Sequence, residues 1–102
     1  MSTYAVLAEP NRRDILDLLR GGERSVGDLV DRLTLSQPGV SKHLKVLREA
    51  GLVAVRSEGK QRVYALRSQP LAEVDAWLEP YRAFWSQRLD ALERHLDGQE
   101  NP

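Results

Sequence analysis

Residues 35–53 read LSQPGVSKHLKVLREAGLV, and the order of apolar and basic residues within them decides the fold. On a wheel turning about 100° per residue, with Val40 at zero, Leu44 falls at about 40° and Leu47 at about 340°. Three aliphatic side chains therefore share one narrow face. Ser41 lies at about 100°, Lys45 at about 140° and Lys42 at about 200°, on the side turned away. Between Gln37 and Arg48 there are three basic residues and no acid; the first acid is Glu49. Ser36 is placed to cap the helix, Pro38 suits its first turn, and Gly51 is the expected C-terminal stop. A helix that needed only a solvated outer face would mix acids with bases. This one suits contact with something polar and negative.

Upstream, Tyr4 to Ala8 reads as a short helix with Tyr4, Leu7 and Ala8 on one side. Pro10 opens a second helix carrying Ile15, Leu16, Leu18 and Leu19, which Gly21-Gly22 ends. In SVGDLVDRL, Ser25 and Asp28 have the spacing of a capping box, and Val26, Leu29, Val30 and Leu33 supply an apolar face. Thr34-Leu35 leaves room only for a turn. From Leu52 the period changes: LVAVRS and RVYAL are β-rich, joined through Glu58-Gly59-Lys60-Gln61 as a hairpin loop. After Pro70 the helical period returns through Leu71, Val74, Leu78, Tyr81, Trp85, Leu89, Leu92 and Leu96. Pro80 interrupts it, so a kink or a break into two helices is expected near Glu79.

The chain of 102 residues has equal numbers of basic and acidic residues, 15 of each, but they are not evenly spread. Residues 1–67 hold 12 basic and 8 acidic residues, residues 68–102 hold 3 and 7, and residues 36–67 alone hold 7 and 2. This asymmetry marks a basic working surface with an acidic end kept apart from it. The chain has no cysteine, which excludes disulfides, thiolate metal sites and a cysteine nucleophile. No stretch approaches the roughly 18 apolar residues of a membrane span, and no secretory pattern opens the chain, so a cytoplasmic location is expected. Neither a catalytic triad pattern nor a glycine-rich phosphate loop is present, and an enzyme is not expected.

Two short helices joined by a tight turn, the second basic outside, then a hairpin with a basic tip: the order is that of a winged helix-turn-helix. The expected fold is mainly α with a small β-hairpin. It is read as one domain over 1–97, with a reader at 25–51, a wing at 52–67 and C-terminal dimerisation helices at 70–97; residues 98–102 are read as a frayed tail. The second reader helix fits the DNA major groove. Candidate DNA-binding residues are Ser36, Gln37, Gly39, Ser41, Lys42, His43 and Lys45 in the reader, with Arg56, Lys60 and Arg62 in or beside the wing loop. His43, at about 300° on the wheel, stands between a packed shoulder position and a DNA contact. A module binding an acidic protein partner through the same surface is the alternative function.

The sequence also resembles the ArsR/SmtB-type winged-helix repressors over about residues 4–97. The resemblance is carried by LAEPNRRDIL, SVGDLVDRL, LSQPGVSKHLKVLREAGLV and GKQRVYAL. It implies a homodimer on a palindromic DNA operator of two half-sites, with N- and C-terminal helices pairing the protomers. Carried over by position, its reader residues are Gln37, Gly39, Ser41, Lys42, His43 and Lys45. Where the metal and arsenic sensors of the family have a Cys-x-Cys pair, this chain has Ser25 and Gly27. It is similar instead to a cysteine-free branch with a Pro-Tyr-Arg-x-Phe-Trp segment, here Pro80 to Trp85.

Large apolar residues in the last helical region exceed what one small core needs. Tyr4, Leu7, Trp77, Tyr81, Trp85, Leu89 and Leu92 are the expected dimer interface. The aromatic set Trp77, Tyr81, Phe84 and Trp85 could line a ligand pocket, but a core or interface is the commoner use of such a stripe. Asp90, Glu93 and Asp97 share a helix face from which His95 diverges, a poor transition-metal set, so no metal or cofactor is expected. Any small-molecule effector is unidentified.

Overall fold

The computed structural model describes residues 1–100, with side chains through residue 98. In chain order the elements are α1 (Thr3–Leu7), α2 (Pro10–Arg20), β1 (Arg24–Ser25), α3 (Val26–Arg32), α4 (Gln37–Glu49), β2 (Val53–Glu58), β3 (Gln61–Leu66) and α5 (Gln69–Glu100). The strands form an antiparallel sheet in the order β1-β3-β2. The chain divides into two compact units, residues 1–72 and the remainder of α5 from Glu73. No helix among the described residues is long and apolar enough to cross a membrane.

The wheel of α4 is reproduced by its burial. Val40, Leu44 and Leu47 are fully buried, in one cluster with Val6, Ile15, Leu16, Leu19, Leu29, Leu52, Val53 and Tyr64. Burying each such aliphatic side chain stabilises the fold by about 1.5–3 kcal/mol. Both ends of α4 are closed locally. Ser36 Oγ accepts the Gly39 N–H at 3.2 Å. At the other end Gly51 adopts φ +77°. Its N–H donates to Arg48 O at 3.0 Å, and the Leu52 N–H donates to Leu47 O at 2.9 Å, the paired bonds of a Schellman motif.

Several expectations are corrected. In α1 Val6 is fully buried and Leu7 packs partly buried against the core, while Tyr4 is 40% exposed and Ala8 is exposed. Arginines of α2 bind the C-terminal carbonyls of α1: Arg12 Nη1 donates to Val6 O at 3.4 Å and Arg13 Nη1 to Leu7 O at 2.7 Å. A third strand, β1, joins the hairpin through Arg24↔Tyr64 and Ser25↔Val63; two residues are too few for an alternating pattern to announce them.

The capping box at Ser25 is half made. Ser25 Oγ accepts the Asp28 N–H at 3.1 Å, but Asp28 Oδ2 is held by Arg24 at 2.8 Å and Arg32 at 3.0 Å. Two guanidinium partners outcompete one backbone N–H for that carboxylate.

Pro80 does not split the last helix: α5 runs unbroken from Gln69 to Glu100. The expected tail at 98–102 is helical over 98–100, and Asn101 and Pro102 lie outside the described residues. Proline removes one backbone donor and crowds the turn before it. The Arg82 guanidinium bridges that turn, donating to the Asp75 carbonyl at 2.7 Å and to the Asp75 carboxylate.

The left-handed backbone at Gly51 yields a first prediction. A methyl there would meet Pro70 Cγ at an ordinary 3.7 Å, so backbone strain is the main cost. Gly51→Ala should lower unfolding stability by about 1–2 kcal/mol in urea denaturation; an unchanged midpoint would contradict the cap.

Candidate nucleic-acid interface

Three local devices place the reader against the wing. Ser25 ends β1, which pairs with β3, and at once caps α3. A turn from Leu33 to Ser36 then leads to α4. Past Gly51, β2 and β3 pair in register from Val53↔Leu66 to Glu58↔Gln61. Their two-residue turn begins with Gly59 at φ +61°, the positive angle that tight hairpin turns require.

Between these elements lies a groove of about 690 Å³. The start of α3 contributes Ser25, Val26 and Gly27; α4 contributes Gln37, Ser41, Lys45 and Arg48; the wing contributes Lys60, Gln61, Arg62 and Tyr64. Four cations line it and no carboxylate does. Of the residues expected at the site, the structure brings together Gln37, Ser41, Lys45, Lys60 and Arg62. Lys42 is exposed on α4 but does not line the groove. Ser36 and Gly39 serve the helix cap, and a Cβ at Gly39 would come within 3.3 Å of Ser36 Oγ.

Arg48 was absent from the expected set. The signal for it was present, since the wheel puts Gln37 at about 60°, Arg48 at about 80° and Ser41 at about 100°. Gln61, Tyr64 and Ser25 join the groove through sheet pairing, and Val26 and Gly27 through the start of α3 that Ser25 caps, long-range placements which no local pattern encodes.

The basic residues of the first unit fall into two groups. Arg12, Arg13, Arg24, Arg32 and Arg56 are engaged with carbonyls, carboxylates or His43. Arg20, Lys42, Lys45, Arg48, Lys60, Arg62 and Arg67 have no side-chain hydrogen bond or ion pair with another described residue, and of these Lys45, Arg48, Lys60 and Arg62 line the groove. Arg56, expected as a wing contact, is held by Glu23 at 2.7 Å and by Glu58 at 3.0 Å. These carboxylates, Glu23 foremost, hold its guanidinium above the usual arginine range.

His43 is packed at the shoulder of α4. Its side chain is 16% exposed, its Nδ1 accepts from Arg12 Nε at 3.3 Å, and its Nε2 lies 3.8 Å from Glu9 Oε2. The same Glu9 carboxylate accepts the Arg12 N–H at 3.2 Å and so caps α2. The ring thus connects α4 to the start of α2 and stands outside the groove.

The expected interface residues of α5 are open in the single chain: Trp77, Tyr81, Trp85, Leu89 and Leu92 are each about half exposed or more. Phe84 and Leu96 are similarly open. Trp77 and Tyr81 rings stand 5.1 Å apart, and Arg88 lies over Phe84 at 5.0 Å. Leu7, by contrast, is partly buried against the core. Among the described residues no three His, Cys, Asp or Glu side chains converge as metal ligands.

With the geometry in view, the chain can be set beside known proteins. Residues 9–55 match the model of the "Bacterial regulatory protein, arsR family". The HTH-type transcriptional regulator Rv2034 of Mycobacterium tuberculosis is 38% identical over 97% of this chain and 96% of its own length. The transcriptional repressor SdpR of Bacillus subtilis is 31% identical over 76% of this chain and 86% of its own. A crystal structure described as a "possible transcriptional regulator for arsenical resistance" superposes with a TM-score of 0.72 at 40% identity, covering 90% of this chain and 93% of that one. The chain belongs to the ArsR family, whose members are winged-helix, DNA-binding transcriptional regulators and not enzymes.

The clamp around Asp28 gives a pH prediction. Arg24 foremost, with Arg32, depresses the Asp28 carboxyl below its ordinary value. A depressed folded-state value means stability that is present above the ordinary carboxylate range and is lost as pH falls through the depressed value. Asp28→Asn should therefore destabilise the protein at neutral pH and flatten the acid limb of stability against pH. Parallel acid limbs in the two proteins would show that the clamp contributes nothing.

Proposed function

We propose that this chain is a homodimeric repressor that binds a palindromic operator, with α4 in the major groove and the wing beside it. The observation that carries the reading is the groove of Lys45, Arg48, Lys60 and Arg62, four cations with no intramolecular partner among the described residues and no carboxylate beside them. Gln37 and Ser41, on the same stripe, can donate to and accept from base edges, while the cations meet phosphate. Repression is favoured by the relative named as a repressor, which matches three quarters of this chain. Its place of action is the cytoplasm, where the operator is.

Dimerisation follows from the apolar stripe of α5. Trp77, Tyr81, Trp85, Leu89, Leu92 and Leu96 advance by threes and fours and are open in the single chain. A second copy covering this stripe removes the exposed surface and gives the two-fold symmetry that a palindrome matches. Tyr4, 40% exposed on α1, is proposed to join that interface.

The test begins with selection of an operator from random duplex DNA, followed by titration in salt. Lys45→Ala with Arg48→Ala should weaken binding and flatten the log–log salt slope by about 0.9 for each phosphate no longer neutralised. Helix content should hold, because neither side chain has a partner among the described residues. Equal affinity in the double variant would refute the site. Sedimentation should show a dimer at micromolar concentration, and Trp85→Glu with Leu92→Glu should convert it to monomer; a wild-type monomer would refute the dimer.

A further inference from the structure

We propose that Glu23 and Glu58 withhold Arg56 from DNA and make the outer face of the wing repel phosphate, so that only the groove side of the wing engages the duplex. This rests on the DNA-binding reading above. Arg56 differs from the other wing cations in that all three guanidinium nitrogens are occupied. Its Nε and Nη2 donate to Glu23 Oε2 at 3.3 and 2.7 Å, and its Nη1 lies 3.0 Å from Glu58 Oε2. Lys60 and Arg62 have no such partner among the described residues.

Sheet register separates Arg56 from Arg62. Arg56 pairs with Val63, and Val63 with Ser25, so these positions share one face of the sheet, and alternation puts Glu58 with them. Arg62 pairs with Ser57 on the opposite face, the one it shares with Tyr64. Glu58 is the one acid between Leu52 and Arg67, and it stands beside Arg56. Glu23 reaches Arg56 from the segment ahead of β1, across the width of the sheet. Two carboxylates around one guanidinium leave this cluster with a net negative charge, while the described residues that line the groove include four cations and no carboxylate.

Recruiting Arg56 to a phosphate would exchange charge-assisted bonds to carboxylate for charge-assisted bonds to phosphate, a nearly even trade. It would also leave two freed carboxylates facing a polyanion. The exchange is therefore unfavourable, and Arg56 stays with its carboxylates. Sequence-independent binding depends on the number of phosphates neutralised, so a cation withheld in this way lowers it. Contacts from Gln37 and Ser41 to base edges are left to weigh more.

The experiment is a salt titration of binding to a random-sequence duplex and to the selected operator. Glu23→Gln with Glu58→Gln should steepen the log–log slope by about 0.9 on both duplexes. It should raise affinity for the random duplex several-fold and lower the ratio of specific to non-specific binding. In an Arg56→Gln background the same two changes should leave the slope unaltered, which separates release of Arg56 from mere loss of negative charge. Arg56→Gln alone should not flatten the slope. An unchanged slope in the carboxylate double variant would overturn the proposal, as would a slope flattened by Arg56→Gln alone. Lys45→Ala with Arg48→Ala runs alongside: if that variant also leaves binding unaltered, the failure belongs to the DNA reading rather than to Arg56.

Discussion

The structure depends on the rotation of α4 about its own axis, and burial of Val40, Leu44 and Leu47 sets that rotation. Each buried side chain contributes about 1.5–3 kcal/mol, whereas an exposed ion pair contributes about 0–1 kcal/mol. The apolar stripe therefore decides which way the helix faces, and the charges follow. Because the core alone holds the helix, Lys45 and Arg48 need no partner in the protein. Ser36 and Gly51 fix where the helix begins and ends, which fixes how far along the groove those cations stand.

Five arginines of the first unit are engaged within it. Arg12 and Arg13 bind the end of α1, Arg24 and Arg32 grip Asp28, and Arg56 is held by two carboxylates. Net charge, which is zero over the chain, conceals this division. A basic surface is thus defined less by how many cations it has than by which of them the fold leaves without partners. The ArsR family to which the chain belongs uses this architecture to bind DNA, and this chain carries it without a single cysteine.

Much of this was legible in the sequence because it is local. The stripe of α4, its cap and stop, the hairpin turn and the helical period after Pro70 all follow from spacings of a few residues. Arg48 was legible too, lying between Gln37 and Ser41 on the wheel. What escaped depends on partners distant in the chain. His43 meets Arg12 from 31 residues away and Arg56 meets Glu23 from 33, and no local spacing announces either partner. The third strand escaped because two residues carry no period, and the unbroken α5 because a proline inside a helix removes one hydrogen bond without fixing whether the helix ends there.

On the proposed DNA-binding reading, the face of α4 with Lys45 and Arg48 and the groove side of the wing meet DNA together while the buried stripe stays fixed. Amide and methyl chemical shifts, followed by NMR as an operator duplex is added, test it most directly. The account predicts large shifts at Gln37, Ser41, Lys45, Arg48, Lys60 and Arg62, with the methyls of Val40, Leu44 and Leu47 nearly still and Glu23 and Arg56 little moved. Shifts centred instead on the outer face of the wing, or on α5 with the groove residues unmoved, would contradict it.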